Sequence, residues 1–447
     1  MNNLLVMNNK EDSNNKAIES RGTKSNMTPF NIEITSKNDS ISKNNKEESK
    51  LKIIFYIKIV IIIIYFALII CIEQLYRKNL FEKSKEIQEK IRDDHEKESS
   101  FYKFWNFIQY FGVAKITFPI FGIIFVFFPL NSSFLTLQAL LYSIYITNLF
   151  KIIYRNGRPY WESEKLDIVC NSGYGNPSGH SVTSTVYYLT LPHIVTNFEF
   201  FKKDTKGIIL RVVIFCLFII LGSLVMISRV MLAAHSINQV IYGFTLGLGI
   251  YFILIYILSY HTYSSDEFLK HITKKLVIII YMVFHSIIIL LLIIIYLVIK
   301  DNEEIKNNTY ENIFNGIRCK IKNEYLMLKS DGFFQALSIT SIVGAHLGII
   351  ILIISLKKLN YVINGNIIEF NKSSIKRWLI RLPILLISGI FLILNFCIPG
   401  DSPLSIIFIF KSAVSFFLTT LGIFFVGIFI CIHYNLANEK IEILKNE

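Results

Sequence analysis

Long apolar runs, separated by polar and charged segments, recur along the whole chain of 447 residues. Each run is close to the roughly 20 residues that a helix needs to cross the hydrocarbon core of a bilayer. The pattern predicts ten helices, which are Ile53–Ile72, Gly112–Phe128, Phe134–Phe150, Ser178–Val195, Ile208–Ile227, Ile237–Tyr260, Leu276–Ile299, Phe333–Leu356, Trp378–Ile398 and Ser405–His433. The predicted fold is therefore all-α, a polytopic transmembrane bundle of about ten spanning helices.

Changes in composition divide the chain into six predicted segments. Residues 1–50, rich in Asn, Ser, Lys and Glu, are predicted to form a disordered cytosolic tail. Residues 51–75 form the first transmembrane helix, and the highly charged residues 76–104 form a linker or an interfacial helix. The remaining segments are a core at 105–260, an additional four-helix membrane region at 261–435 and a cytosolic tail at 436–447.

The overall composition agrees with a membrane protein and excludes a nucleic-acid partner. Hydrophobic residues make up 53% of the chain, the mean hydropathy is +0.48 and the formal net charge is +13. Because no basic–aromatic stripe of the nucleic-acid-binding kind is present, the positive charge is assigned to loops facing the membrane. Membrane lipids are the expected surroundings.

Three polar motifs lie at the edges of apolar runs. Lys151 and Arg158 follow the third predicted helix, and His180 opens the fourth. Arg229 ends the fifth helix, and His235 opens the sixth. Because an odd-numbered helix leaves the membrane on the face where the next one enters, all three motifs are expected on one side of the bilayer.

Together the motifs contain three permanent cations and two imidazoles. This set can move a phosphoryl group without a metal or another cofactor, because cations neutralise the phosphate, one imidazole attacks phosphorus and the other protonates the leaving oxygen. Taken singly, the motifs are also typical of a snorkelling pair, a capping turn and a polar kink. Their joint occurrence on one face favours a shared site.

The local spacing suggests how each motif is built. Lys151 and Arg158 are seven residues apart and share a face if the helix persists that far. Ser178 can cap the following helix, and Gly179 permits close backbone approach. Gln239, one turn after the second histidine, can accept a hydrogen bond from its imidazole.

The pattern Lys-x6-Arg-Pro, Pro-Ser-Gly-His and Ser-Arg-x5-His resembles the signature of the type 2 phosphatidic acid phosphatase superfamily. That superfamily includes glucose-6-phosphatase, sphingosine-1-phosphate phosphatases and vanadium haloperoxidases. The resemblance covers about Gly112 to Tyr260 and makes 105–260 a phosphatase core. It implies a helical phosphatidic-acid-phosphatase/haloperoxidase-like catalytic core, with no metal.

The resemblance also implies a role for each motif residue. His235 is similar to the nucleophile that forms a phosphohistidine, and His180 to the acid that protonates the leaving alcohol. The implied catalytic residues are His180, Arg229, His235 and Gln239. The implied phosphate-binding residues are Lys151, Arg158, Ser178, Gly179 and Arg229. Three further histidines inside or at the end of apolar runs, His285, His346 and His433, are expected to be hydrogen-bonded core residues instead.

The subgroup and the substrate stay open at this point. Most members have an acid four residues after the nucleophilic histidine, whereas this chain has Gln239, as glucose-6-phosphatase does. The run Asn171-Ser172-Gly173-Tyr174-Gly175 is more similar to sphingosine-1-phosphate phosphatases. A lipid phosphate is the favoured substrate because the site lies at the membrane edge. A sugar phosphate and a non-catalytic, lipid-binding protein that retains the phosphate clamp are the alternatives.

The distribution of basic residues predicts the orientation. The 357–381 loop, the loop near Lys202 and the tail before the first helix are basic and lie opposite the motifs, which makes that side cytosolic. The motifs then face the lumen or the extracellular side, as does a glycosylation sequon at Asn307. The endoplasmic reticulum or another endomembrane is the expected location.

Overall fold

The computed structural model describes residues 32–96, 99–112, 114–128, 130–166, 173–196, 205–263, 265–301, 333, 335–358, 383 and 406–433. The chain divides into two compact units, residues 1–57 and residues 58–447. The described part of the first unit is helical throughout. Every element of the candidate site lies in the second unit.

Most of the described residues are helical, and no strand occurs among them, which confirms the predicted all-α class. The α-helices are α1 Ile32–Asp94, α2 Ser100–Gln109, α3 Ala114–Phe127, α4 Leu130–Tyr154, α5 Pro159–Glu162, α6 Gly179–Thr196, α7 Thr205–Met231, α8 Ile237–Phe252, α9 Ser265–Ile272, α10 Lys275–Asp301, α11 Thr340–Lys358, α12 Ile406–Leu421 and α13 Ile428–His433. Two π-helical turns, Ile253–Leu258 and Gly422–Gly427, extend α8 and join α12 to α13.

Seven segments of the described chain are long and apolar enough to cross a membrane, as expected of an integral membrane protein. They are Ile53–Asp94, Leu130–Glu162, Thr205–Met231, Ile237–Leu258, Lys275–Val298, Gln335–Leu356 and Ser412–Ile430. The predicted ten spans are not confirmed. Helix α3 has 14 residues, α6 is rich in Ser and Thr, and the predicted helix Trp378–Ile398 lies outside the described residues apart from Pro383.

Helix α6 is the centre of the bundle, and α4, α7 and α8 pack around it. Two glycines of α8 permit its close approach to α6. A Cβ at Gly243 would lie 2.7 Å from the carbonyl oxygen of Ser178, and one at Gly247 would lie 2.7 Å from Cβ of Thr185. Because no larger side chain fits there, the start of α8 is held beside the start of α6.

Helix α4 is covered on both sides and is therefore almost entirely buried. One side packs against α6, and the other packs against α10 and α11 of the additional membrane region. By contrast, α1, α7 and α10 expose many large apolar side chains, such as Ile63, Ile209 and Ile287. These exposed surfaces are suited to contact with lipid.

Helix α1 continues through the predicted end of the first span. It includes residues 32–50, for which the sequence predicted disorder, and it continues to Asp94, where the sequence predicted a linker or an interfacial helix. A helix extends by one hydrogen bond per added residue once it is nucleated, so an apolar span propagates helix into polar flanks. The charged part is not a solvated face throughout, because Glu73, Ser84 and Gln88 are buried.

Several sequence predictions fall outside the described residues. These are the sequon at Asn307, most of the basic 357–381 loop, the loop near Lys202, and the terminal segments 1–31 and 434–447.

Candidate active site

His235 lies in the turn that joins α7 to α8. Helix α7 ends because the main-chain N–H groups of Ala234 and His235 both donate to the carbonyl of Arg229, each over 3.1 Å. Ala233 has a left-handed φ of 49°, which reverses the chain direction. The turn thereby buries His235, which is 1% exposed.

Two neighbours determine which nitrogen of His235 carries the proton. Nδ1 is 2.8 Å from the carbonyl oxygen of Gly175 and 3.2 Å from Oε1 of Gln239. Since a carbonyl oxygen only accepts hydrogen bonds, Nδ1 must donate. The lone pair of Nε2 then faces Nη1 of Arg158, which donates to it over 3.1 Å. The neutral imidazole therefore presents Nε2 as its nucleophilic atom.

Gln239 connects all three motifs. Its Nε2 donates to the carbonyl of Gly157 over 2.7 Å, and its Oε1 accepts from the main chain of Ser236 over 3.3 Å. Its own carbonyl accepts from the main chain of Ser178 over 3.0 Å. These contacts assign the orientation of the amide and place Oε1 toward His235.

Arg158 is held by a loop rather than by a helix. Helix α4 ends at Tyr154, and Arg155 follows with a φ of 51°. The helix does not persist to Arg158, so the condition for a shared helical face of Lys151 and Arg158 is not met. Arg158 is buried in extended conformation before Pro159, and it donates to the carbonyls of Gly173 over 2.8 Å and Ala234 over 2.9 Å.

Lys151, in the last turn of α4, lies close to the start of α6. A Cβ at Gly179 would lie 3.1 Å from Cγ2 of Thr147 and 3.9 Å from Nζ of Lys151. The absence of a side chain at Gly179 therefore lets this ammonium group approach the N-terminus of α6, where free N–H groups attract anions.

The start of α6 also positions His180. Oγ of Ser178 accepts from the main chain of Ser181 over 3.4 Å and from its hydroxyl over 3.0 Å, which caps the helix. Nε2 of His180 is buried and has no hydrogen-bond partner within the described part of the chain. A buried imidazole nitrogen of this kind is suited to an oxyanion or to a leaving oxygen.

Arg229 adds a third cation at the end of α7 and is buried, with 1% exposure. Its Nη1 donates to Oε1 of Gln109, at the end of α2. Its Nε has no hydrogen-bond partner among the described residues. Helix α2 therefore contacts the site, which no motif predicted.

Both histidines lie outside the seven candidate spans, and their pKa values are well below the ordinary range. For His180, burial lowers the pKa most, followed by the charges of Arg229, Lys151 and Arg158. For His235, burial again has the largest effect on the pKa, followed by Arg158, Arg229, Lys151 and His180. Both imidazoles are therefore neutral near pH 7. A bound dianion would oppose the effect of the cations and raise both pKa values.

The structure brings together the residues predicted to be catalytic or phosphate-binding, and it adds contacts that the motifs did not indicate. The carbonyl of Gly175 is the shortest contact of Nδ1 in His235. Gln88, on α1, donates to the carbonyl of His235 over 2.8 Å. Both contacts join positions far apart in the sequence, and a single chain carries no local signal for them. Within the described ranges, no group of three or more His, Cys, Asp or Glu side chains could hold a metal ion.

Two imidazoles surrounded by three cations, at or near helix ends, form an arrangement that is chemically suited to a phosphate-like oxyanion. Residues 133–263 match the profile of the PAP2 superfamily, and this match confirms the resemblance based on the motifs. Residues 133–263 thus form a region of the type 2 phosphatidic acid phosphatase superfamily. Helices α1, α2 and α3 and the helices that follow residue 263 lie outside the match.

Two relatives illustrate the similarity. The glucose-6-phosphatase catalytic subunit 1 of Rattus norvegicus is 32% identical over an alignment of 118 residues, which covers 23% of this chain and 33% of the relative. That of Mus musculus is 31% identical over 118 residues, with the same shares. The match thus spans about a third of the length of these curated relatives. No solved structure matches the chain.

Proposed function

We propose that this protein is a membrane phosphatase that hydrolyses a phosphate monoester through a phosphohistidine on His235. The observation that carries the proposal is the orientation of this imidazole. Nδ1 donates to the carbonyl of Gly175, and the lone pair of Nε2 faces the guanidinium of Arg158. A nucleophile pointing at a cation is arranged to meet an anionic phosphate.

In the first step, Nε2 of His235 attacks phosphorus, and the bond between phosphorus and the ester oxygen breaks. The leaving oxygen takes a proton from Nε2 of His180 and departs as an alcohol. The bound dianion raises the pKa of His180, so that this imidazole carries the required proton in the complex.

In the second step, water attacks the phosphohistidine. His180, now neutral, accepts a proton from the water, and the bond between phosphorus and Nε2 of His235 breaks. The products are inorganic phosphate and the original imidazole. The same histidine thus acts first as an acid and then as a base.

Three cations stabilise the charge on phosphate in both steps. Lys151, Arg158 and Arg229 form the clamp, and Ser178 and Gly179 add hydrogen bonds at the N-terminus of α6. The phosphate oxygens replace Nε2 of His235 as the acceptor for Arg158. In this proposal the side chains themselves supply the charge, and no metal or other cofactor takes part.

A sugar phosphate is the first candidate substrate. The relatives that match over the motif region are named glucose-6-phosphatase catalytic subunits. Gln239 stands where most superfamily members have an acid, and its amide fits this site through the hydrogen bond to Gly157. These two observations connect the chain to the sugar-phosphate branch.

A lipid phosphate is the second candidate, and helix α2 favours it. Phe104, Phe107 and Tyr110 are all exposed on or next to this helix, whose last residue, Gln109, contacts Arg229. Aromatic side chains are enriched at membrane interfaces. An exposed aromatic surface beside the clamp allows a head group to reach the site while its chains stay in the bilayer.

The site is proposed to face the lumen or the extracellular side of an endomembrane such as the endoplasmic reticulum. The basic segments opposite the motifs support this orientation through the positive-inside rule. Protease protection of sealed vesicles, with a tag placed in the 359–382 segment, checks it. Cleavage of the tag from the cytosolic side is expected.

The full-length protein in nanodiscs with a chelator tests the function. Phosphate release is measured from glucose 6-phosphate, sphingosine 1-phosphate and phosphatidate, for wild type and His235→Ala. We expect turnover of at least one substrate and trapping of a phosphoenzyme, both lost in His235→Ala. Equal rates of phosphate release by wild type and His235→Ala on every substrate would refute the proposal. Binding of a lipid phosphate without turnover would then support the non-catalytic lipid-binding alternative.

A further inference from the structure

The last part of α1, residues 73–94, contacts the loops that carry the candidate active site, although it lies outside the superfamily match. Oγ of Ser84 accepts from the main chain of Ile237 over 2.8 Å, at the first turn of α8. Nε2 of Gln88 donates to the carbonyls of Val230 over 3.0 Å and His235 over 2.8 Å. This part of α1 thus holds both ends of the turn that contains the proposed nucleophile.

Glu73 is the third buried residue on the same face of α1, and it is an acid with 0% exposure. Spacings of 11 and 15 residues separate it from Ser84 and Gln88, close to whole numbers of helical turns. Both carboxylate oxygens accept from Arg77, over 2.7 Å and 2.6 Å. A buried carboxylate of this kind requires such partners, because burying an unpaired charge is costly.

The remaining partner of Glu73 leads to the site. Nδ2 of Asn176 donates to Oε1 of Glu73 over 2.8 Å. Asn176 is itself fully buried and directly follows Gly175, whose carbonyl accepts from Nδ1 of His235. A Cβ at Gly175 would lie 2.5 Å from both Nε2 of Gln239 and the carbonyl of Gly157, so this stretch of backbone is tightly confined.

Arg77 anchors the carboxylate to the rest of the core. Its guanidinium lies 4.5 Å from the centre of the Tyr154 ring, and the hydroxyl of Tyr154 is 3.1 Å from that of Tyr242. Tyr154 ends α4, and Tyr242 lies on α8. Glu73 is therefore fixed relative to α4 and to α8, the helix that follows the proposed nucleophile.

We propose that Glu73 is a positioning residue for the phosphatase reaction. It acts through Asn176 and the carbonyl of Gly175 to hold the imidazole of His235 in its orientation. This inference rests on the proposed function. Gln239 provides only a neutral amide at 3.2 Å from Nδ1, and the carbonyl at 2.8 Å is the shorter contact. The acid that orients the site thus comes from α1. It does not contact the imidazole but acts on it through Asn176 and Gly175, by fixing their position.

The test compares Glu73→Ala with Glu82→Gln in the full-length protein in nanodiscs. Glu82 lies on the same helix, is half exposed and pairs with Lys85 over 2.8 Å. We expect Glu73→Ala to lower kcat by about 10- to 100-fold with KM changed less than about threefold, since misplacement of a reacting group by about 1 Å costs about that much. Glu82→Gln is expected to stay within about twofold of wild type.

A double-mutant cycle with Asn176→Ala shows whether the effect passes through this residue. If it does, the double variant is no slower than either single variant, because both remove the same hydrogen bond. Glu73→Gln, which keeps an acceptor for Asn176, is expected to recover most of kcat. If Glu73→Ala does not yield folded protein, Glu73→Gln and Asn176→Ala supply the comparison, with Asn176→Ala slower.

Three results would overturn the inference. In the first, Glu73→Ala has the kcat of wild type. In the second, the effects of Glu73→Ala and Asn176→Ala on log kcat are strictly additive. In the third, thermal unfolding shows that a smaller folded fraction accounts for the whole loss of kcat. Each of these requires an active wild type. An inactive wild type would refute the proposed function instead, so the two failures are distinguishable.

Discussion

Two clusters of buried and half-buried polar side chains lie on opposite sides of α4, and each contains two histidines. The active-site cluster consists of Lys151, Arg158, His180, Arg229 and His235. The intramembrane cluster consists of Gln138, Tyr142, Tyr281, His285 and His346, from α4, α10 and α11. The first has three cations, whereas the second has no permanently charged member.

His235 and His285 adopt the same tautomer in these different surroundings. Nδ1 of His285 donates to the carbonyl of Tyr281 over 2.8 Å, as Nδ1 of His235 does to Gly175. The lone pair of Nε2 in His285 is occupied by the hydroxyl of Tyr142 at 3.0 Å. The corresponding atom of His235 faces Arg158, whose guanidinium can donate to an incoming phosphate instead.

The comparison teaches that a buried, oriented histidine is insufficient to indicate chemistry. In the intramembrane cluster, Gln138 donates to the hydroxyl of Tyr281 over 2.9 Å and Nε2 of His346 is 3.1 Å from the carbonyl of Ile272, whereas Oε1 of Gln138 and Nδ1 of His346 have no partner among the described residues. This cluster therefore acts as a polar connection between α4 and the additional membrane region. In the active-site cluster, by contrast, three cations surround the two imidazoles and supply positive charge to which an anion can bind.

The sharpest way to break this comparison is to exchange the matched histidines. We expect His235→Gln to lower kcat more than about 10⁴-fold, because it removes the nucleophile. His285→Gln is expected to keep kcat within about threefold, because it alters only contacts within the intramembrane cluster, to Tyr281 and Tyr142. Phosphate release on the best substrate measures both. Equal losses in the two variants would show that the clusters are not functionally distinct.

The next largest effect is expected at Arg158. Arg158→Lys keeps the charge but cannot make three directed contacts, to Gly173, Ala234 and His235, at once. We expect kcat/KM to fall about 100-fold. Arg155→Lys, in the same loop, is the matched control and is expected to remain near wild type. Full activity of Arg158→Lys would mean that the clamp needs charge alone.

Gln239→Glu tests why this chain lacks the acid found in most of the superfamily. The carboxylate cannot donate to the carbonyl of Gly157, and it places an acceptor against another acceptor. We expect kcat to fall about 10-fold, despite the gain of an acid beside His235. Steady-state kinetics measure the effect. A higher kcat in Gln239→Glu would show that the amide lowers the rate and that its hydrogen bond to Gly157 is not required.

Ligand binding should change the protonation of the active-site cluster. The pKa of His180 is depressed in the free protein by burial and by three cations, so the imidazole is neutral near pH 7. Binding of tungstate, an oxyanion that does not itself titrate there, raises this pKa, and protons are taken up. Calorimetry in buffers with different ionisation enthalpies measures the uptake, which should be smaller in His180→Asn. Proton release on binding would contradict this sign.

The smallest predicted effect concerns the intramembrane cluster. Tyr142→Phe removes the hydroxyl that contacts Nε2 of His285 and is expected to destabilise the protein by about 1 kcal/mol. The shift is measured by thermal unfolding in nanodiscs, and kcat should be unchanged. A large fall in kcat with unaltered stability would instead connect this cluster to the reaction.

Much of the fold and of the candidate site was predictable from local patterns. Apolar runs such as Ile208–Ile227 and Leu276–Ile299 correspond to α7 and α10, because length and hydropathy are properties of a continuous segment. The motif residues were identifiable because phosphate chemistry requires cations and imidazoles. Their placement at successive helix ends also indicated that they share one side, since antiparallel neighbours alternate in direction.

Other features depend on contacts between distant segments. Nothing near Glu73 in the sequence indicates that it meets Asn176, more than 100 positions away. The use of the Gly175 carbonyl, rather than Gln239 alone, to orient His235 is also a result of packing. The sequence alone predicts that a polar residue on a charged helix is exposed to solvent, and only the tertiary structure shows that another element buries it. Hydropathy records what a segment prefers locally, whereas burial and hydrogen-bond partners are set by the neighbours that the folded chain brings to it.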